Sequence, residues 1–221
     1  MKNRVFLFLV YFFSGICFLF AQENNMVTIY NFEDNRLQWE EFATKTSSAT
    51  LSGGFYILTN KQTSEPAKSI TNFPVNVKEN FKIKVTMLIP KISKDNYFGL
   101  VYDYKEKQEK GSFKSFLVAE GKYKVCSGSE LEYVAAKKDA QRITLNRKAS
   151  GDIILKSGKD REVEFEIEKK GLQLVFSVNN MEVYKCKEEL SSKTFGFIVE
   201  GKNTIKVKEV SIEQIKEEAN W

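Results

Sequence analysis

The stretch "EVEFEIEKKGLQLVFSVNNMEVY", residues 162–184, decides how this chain is read. Glu162, Glu164, Glu166 and Glu168 stand at every second position, with Val163, Phe165 and Ile167 between them. A period of two belongs to a half-buried strand, whose successive side chains point to opposite faces. Asn179-Asn180 supplies a two-residue turn, because asparagine tolerates positive φ. That turn sets Val178 opposite Met181 and Phe176 opposite Val183. A four-residue loop, Glu168 to Gly171, is expected to pair Ile167 with Leu172, Phe165 with Leu174 and Val163 with Phe176. The strong apolar residues of three strands then share one face. The other face carries Glu162, Glu164 and Glu166 beside Gln173, Val175, Ser177, Glu182 and Tyr184. In this reading the carboxylates are the wet side of a sheet.

The same alternation recurs along the chain. In "FKIKVTMLI", Phe81, Ile83, Val85, Met87 and Ile89 alternate with Lys82, Lys84 and Thr86. Strand-like segments "GGFYILTN", "YFGLVYDY", "SFLVAEG", "KYKV", "TFGFIVEG" and "TIKVKEVSI" follow the same logic, several separated by turn chemistry such as Glu120-Gly121 and Lys170-Gly171. Helix signals are nearly absent until "IEQIKEEANW", which reads as one turn or a frayed tail. Many short strands joined by turns point to an all-β sandwich or barrel.

The first residues have the plan of a secretory leader: basic Lys2 and Arg4, an apolar run from Val5 to Phe20, then Ala21 before Gln22-Glu23-Asn24. A membrane anchor is the rival, but the run is shorter than the roughly 20 residues a spanning helix needs. Cys17 follows Ser14-Gly15-Ile16, which lacks the small residue that lipid attachment wants directly before the cysteine. The sequence thus divides into a signal peptide (1–21), one domain (22–213) and a short tail (214–221). The expected destination is export, to the periplasm, the cell surface or the medium, with no stable membrane insertion after cleavage. Losing Lys2 and Arg4 lowers the formal charge of +5 by two. Basic and acidic residues are interleaved, so nucleic acid, which needs clustered cations, is not indicated. Cys126 and Cys186 survive cleavage, and an oxidising compartment permits a disulfide if their strands are neighbours. Two unpaired thiols are the other possibility.

The chain has no histidine. Ser-His and Cys-His nucleophile pairs and histidine metal sites are therefore excluded. Neither a CxxC nor a phosphate-binding glycine loop occurs, and no loop has the oxygen-ligand density of a calcium site, so no cofactor or metal is expected. Carboxylates two apart on a strand could approach glycosidase separations, and "EVEFE" looks superficially like the E-x-D-x-E strand of one β-sandwich glucanase family. However, Glu164 replaces the central Asp, and only Tyr184 shares that face nearby. Aromatic residues make up 13% of the chain. Tyr97, Tyr102, Tyr104, Tyr123 and Tyr184 lie on or beside strands, where rings serve either as core filling or as sugar platforms. Candidate ligand-binding residues are accordingly Tyr102, Tyr123, Tyr184, Glu164 and Glu166, and no catalytic residue is assigned.

The order of motifs carries a resemblance. Trp39 follows an N-terminal strand, and "GGFYILTN", "NFKIKVTM", "NYFGLVYD", "FLVAEGKYKV", "LQLVFSVNNMEVY" and "TFGFIVEGKNTIKVKEVSI" succeed it. This succession resembles the laminin G-like, concanavalin A-like jelly-roll domains of exported bacterial proteins, over roughly residues 27–213. Asn180 stands where those domains often have Gly. The resemblance implies two stacked antiparallel sheets, one of them curved. It also implies a non-enzymatic binding module with carbohydrate as the leading ligand, on the concave sheet or the loops at its rim. A structural or protein-interaction domain of the cell envelope is the first alternative. A glycoside hydrolase using the Glu162–Glu168 strand is the second.

Overall fold

The computed structural model describes residues 26–107, 110–132 and 141–215; residues 1–21, expected as a signal peptide and including Cys17, and residues 216–221 lie outside them. The chain opens with β1 (Met26–Asn31), β2 (Phe42–Ala43), β3 (Ser47–Ser52), β4 (Phe55–Asn60) and β5 (Ala67–Asn72). Then come β6 (Asn80–Ile92), β7 (Tyr97–Lys107), β8 (Lys110–Ala119), β9 (Lys122–Glu132) and β10 (Gln141–Asp152). β11 (Gly158–Lys170), β12 (Gln173–Val178), β13 (Met181–Lys187), β14 (Thr194–Glu200) and β15 (Asn203–Ile215) complete it. They form two antiparallel sheets. The nine-stranded sheet runs β13-β12-β11-β6-β15-β4-β3-β2, with β1 also on β15, and the six-stranded sheet runs β10-β9-β8-β7-β14-β5. The stretch from Ile212, read as a turn or tail, instead continues β15 to Ile215, where Gln214 pairs with both Phe81 and Met26.

The deciding stretch folds with its faces as expected but with a different register. Asn179 and Asn180 both adopt positive φ and set Val178 opposite Met181. The other turn is tighter than expected: Gly171, at φ 59, and Leu172 form it alone, so Lys170 faces Gln173 and Phe165 faces Val178. The pairing has slid by an even number of residues, so the strand side chains keep their faces, but Leu172, expected opposite Ile167, is left in the turn at 62% exposed. Val163, Phe165, Ile167, Leu174, Phe176 and Val178 are all buried. A bulge between Phe176 and Ser177 does change one face: Phe176 meets Tyr184 rather than Val183. Tyr184 therefore turns inward, 5.8 Å from the Phe176 ring, and does not share the carboxylate face.

The two sheets differ in how their strands are buried. β6 alternates strictly between core residues and half-exposed Lys82, Lys84 and Thr86. β7, β8 and β14 carry the near-continuous apolar runs "FGLVY", "FLVA" and "FGFIV", the signature of strands covered on both sides. Between the sheets, Trp39 stacks on Phe197 at 4.5 Å and tilts against Tyr56 at 5.0 Å. On the far face of the six-stranded sheet a second cluster gathers Val101, Phe113, Leu117, Cys126, Ile143 and Ile198. The cysteines are accordingly separated. Cys126 belongs to that outer cluster, whereas Cys186 packs on the core between the sheets, and both are free. The disulfide permitted by the sequence is not formed, because the six-stranded sheet stands between the two thiols.

Two glycines explain how an outer face becomes buried. A Cβ added to Gly99 would run into the Phe116 carbonyl oxygen, and one added to Gly196 into that of Ser69. Both would project to the outer side, where the neighbouring strand backbone already lies. Lacking side chains there, the strands bend over that face, as glycine permits at tight sheet bends. The six-stranded sheet is thus concave on its outer side.

Candidate functional site

The floor of the concave face is apolar, and its rim is bridged by two lysines. Val101, Leu117 and Ile198 at its centre are 0% exposed. Lys68 on β5 reaches Glu130 on β9 at 2.7 Å, with side-chain exposures of 9% and 3%. Those strands are four spacings apart, about 19 Å across a flat sheet, so the bridge exists only because the sheet curls. Tyr104 Oη donates to Glu130 Oε2 at 3.3 Å, and Lys68 Nζ lies 4.7 Å from the Tyr104 ring centre. A second bridge joins Lys124 on β9 to Glu200 on β14, with Lys124 Nζ 4.0 Å from the Tyr97 ring centre. The concave face is in effect a sealed second core.

A groove of about 830 Å³ opens at one end of that sheet. Its walls come from four separated segments: Tyr30 and residues 36–38, the end of β5 with Phe73 and Pro74, residues 104–106 of β7, and residues 192–194 entering β14. Half-buried Tyr30 and Tyr104 present ring surface, while Gln38, Asn72 and Lys193 are exposed polar groups. Buried Leu37 and Phe73 lie beneath them.

Local chemistry fixes two of these walls. Asn35 brackets the first turn: its Oδ1 accepts from Trp39 N–H at 2.7 Å and its Nδ2 donates to the Trp39 carbonyl at 2.8 Å. With Trp39 anchored in the core, Gln38 is held at φ 55, a left-handed conformation that a non-glycine residue adopts only under constraint. Asp103, at φ 52 on the β7 bulge and 2% exposed, fixes the second wall. Its Oδ1 accepts from Ser191 N–H and Ser192 N–H, both at 2.9 Å, and from the Ser191 hydroxyl at 3.2 Å. Its Oδ2 takes Lys114 at 2.9 Å and Lys105 at 3.5 Å. Burial works against the Asp103 carboxylate, but the Ser191 N–H and the Lys114 ammonium outweigh it and hold the carboxyl below its usual range.

None of the residues singled out from sequence lines this groove. Tyr102, 1% exposed, is a core ring 5.3 Å from Phe176, and burial raises its hydroxyl well above the usual tyrosine range. Tyr123 and Tyr184 are 6.1 Å apart and pack on the same core cluster from inside the sandwich. Glu164 and Glu166 do face away from the core, on the nine-stranded sheet. There Glu164 pairs with Lys84 at 3.2 Å, and Glu166 with Lys84 at 3.6 Å and Lys82 at 3.9 Å. Tyr104, one of the strand tyrosines, does line the groove, although it is not among the candidate ligand-binding residues. Tyr30, Gln38 and Lys193 were missed, since each sits at a strand end or in a loop whose partners are distant in sequence. The one local signal was Asn35 placed four residues before Trp39.

No protein-family model matches the sequence, and no curated protein is similar to it. Solved structures do match in fold. The catalytic domain of an endo-1,3-beta-glucanase (laminarinase) from Thermotoga petrophila aligns with TM-score 0.53 and 9% identity, covering 88% of this chain and 100% of that one. The kappa-carrageenase of Pseudoalteromonas carrageenovora, in complex with an oligotetrasaccharide of kappa-carrageenan, gives 0.51 and 8%, over 88% and 97%. A Bacillus licheniformis beta-glucanase gives 0.50 and 8%, over 86% and 98%. Identities this low speak for the fold alone. Two antiparallel sheets in this order, with these neighbours, make the chain a concanavalin A-like jelly roll.

Proposed function

We propose that this chain is an exported, non-enzymatic glycan-binding module whose ligand lies in the rim groove. The observation carrying this reading is the groove's lining: two half-exposed tyrosine rings beside amides and hydroxyls on a rigid wall. That combination is what sugar faces and their hydroxyls require. Paired carboxylates about 5–10 Å apart are what glycoside hydrolysis needs, and among the described residues the groove's lining holds one carboxylate, Glu106. On the concave face, Glu130 lies six residues along β9 from Lys124, the partner of Glu200. That is roughly 20 Å along the strand, and each carboxylate is engaged by a lysine. Glu164 and Glu166 are on the opposite sheet.

Calorimetric titration and thermal shift with a panel of poly- and oligosaccharides test the reading. A ligand at 100 times its Kd adds about 2.7 kcal/mol, roughly 5–10 °C for a domain of this size. Tyr30→Ala and Gln38→Ala should weaken that ligand at least about tenfold, the loss of one good contact. Glu164→Gln and Glu166→Gln should leave it unchanged. A flat response over the whole panel would overturn the proposal. One feature favours a second reading, a protein-interaction domain of the cell envelope. β1 pairs on one side only among the described residues and exposes Met26 at 70%, Val27 at 52% and Ile29 at 53%.

A further inference from the structure

We infer that the groove's ligand is an acidic polysaccharide, one bearing uronate carboxylates or sulfate esters. This inference rests on the glycan-binding reading above. Among the described residues the lining brings together three cations, Arg36, Lys105 and Lys193, against the single carboxylate of Glu106, although the chain as a whole interleaves its charges. Each cation retains capacity for a ligand. Arg36 uses Nε on Asp34 at 2.8 Å and lies 5.8 Å from the Tyr30 ring centre. Among the described residues its terminal nitrogens make no hydrogen bond, so the fork that grips a carboxylate or sulfate is oriented and available. Lys105 is the outer partner of Asp103, whose oxygens are already taken at shorter range by Lys114, Ser191 and Ser192. Lys193, exposed on the wall that Asp103 fixes, forms no ion pair among the described residues.

The cations also stand apart. They rise from three segments around Tyr30, Tyr104 and Gln38. A polymer stacking a sugar ring on tyrosine would thus present acidic substituents to charges on more than one side. Neutral glucans would offer no anion to the Arg36 terminal nitrogens, to Lys105 beyond its outer contact with Asp103, or to Lys193.

The test uses matched pairs of probes: polygalacturonate against its methyl ester, and dextran sulfate against dextran, titrated into the purified protein at low and physiological salt. One acidic member should bind at least about tenfold more tightly than its uncharged counterpart, with affinity falling as salt rises. Which pair responds distinguishes carboxylate from sulfate. Arg36→Gln with Lys193→Gln should cost about tenfold, as expected for two exposed charges of modest individual weight. Lys185→Gln with Lys208→Gln removes the same charge from exposed sites elsewhere and should cost little. Equal binding of charged and uncharged members would overturn the acidic preference while leaving a glycan module intact. So would an equal loss in the remote lysine pair, which would mark diffuse ion exchange. Absence of binding to every polysaccharide would remove both the inference and the function on which it rests.

Discussion

Asp103 holds the groove wall to the sheet, and its removal has a calculable cost. Asp103→Ala would leave the Ser191 and Ser192 N–H groups without their acceptor and return Lys114 to Glu188 alone. Breaking a buried charged pair of this kind costs about 3–5 kcal/mol. Alanine at φ 52 adds on the order of 1 kcal/mol of backbone strain. Asn tolerates that φ and keeps one carbonyl acceptor, so Asp103→Asn should cost only about 1–3 kcal/mol. Urea denaturation reads both. With a slope near 2–3 kcal/mol/M for a domain this large, the alanine variant's midpoint should fall by about 1.3–3 M at unchanged slope. The carboxyl's folded-state pKa is depressed, so its contribution is present above the unfolded value near 3.9 and disappears as pH drops through the lower folded value. Asp103→Asn should therefore flatten the acid limb of the stability profile. A loss below about 1 kcal/mol in the alanine variant, smaller than a single buried hydrogen bond typically costs to break, would refute the account of this wall.

Three further outcomes follow from the core. Burial, against the Ser69 hydrogen bond, pushes the Tyr56 hydroxyl up to about 12. Its contribution is full below the unfolded pKa near 10 and is lost between pH 10 and 12, roughly 2–3 kcal/mol that Tyr56→Phe should remove from the alkaline decline in denaturation midpoints. Gly99→Ala and Gly196→Ala, which meet backbone atoms, should each cost about 3 kcal/mol or more. Gly53→Ala, with open space but φ +60, should cost about 1 kcal/mol, and thermal melts would rank the three. Lys68→Met alone strands the Glu130 carboxylate, whose Oε1 already lacks a partner, at about 3–5 kcal/mol. Adding Glu130→Met should restore most of that loss in a double-mutant cycle.

Sheet architecture was legible because it depends on periodicity. Glu162 to Glu168 and Lys82 to Thr86 marked their wet faces, and Asn179-Asn180 marked its turn correctly. Register was less legible: the four-residue and the two-residue turn at Gly171 keep Val163, Phe165, Ile167, Leu174 and Phe176 on one face and differ in Leu172 and Lys169, and only tertiary pairing with β6 chooses between them. The Tyr184 face required knowledge of a bulge, which leaves no pattern of its own. β3, β5 and β10 went unread because "SSATLS", "AKSITN" and "QRITLNRKASGD" are polar at most positions. Apolar runs in β7, β8 and β14 belong to a sheet covered on both faces, which grouping them with the half-buried strands does not convey. The groove was illegible for a different reason: Tyr30, Gln38, Tyr104 and Lys193 come together only through folding, and Gln38's backbone is set by Asn35 and Trp39.

The sealed concave face bears on how the molecule opens as well as on where it binds. β7, β8 and β14 are dry on both sides, whereas β11 and β6 exchange one face with solvent through their lysine–glutamate ladder. Amide protons of the inner strands should therefore exchange with solvent only when the whole domain unfolds, and those of β1, β2 and β13 through local fraying. The rim groove joins these two regimes. Its β7 and β14 walls extend from strands whose centres are the last part of the molecule to open, while Tyr30 hangs from an edge strand among the first, so a bound ligand should slow exchange in β1 far more than in the centre of β7.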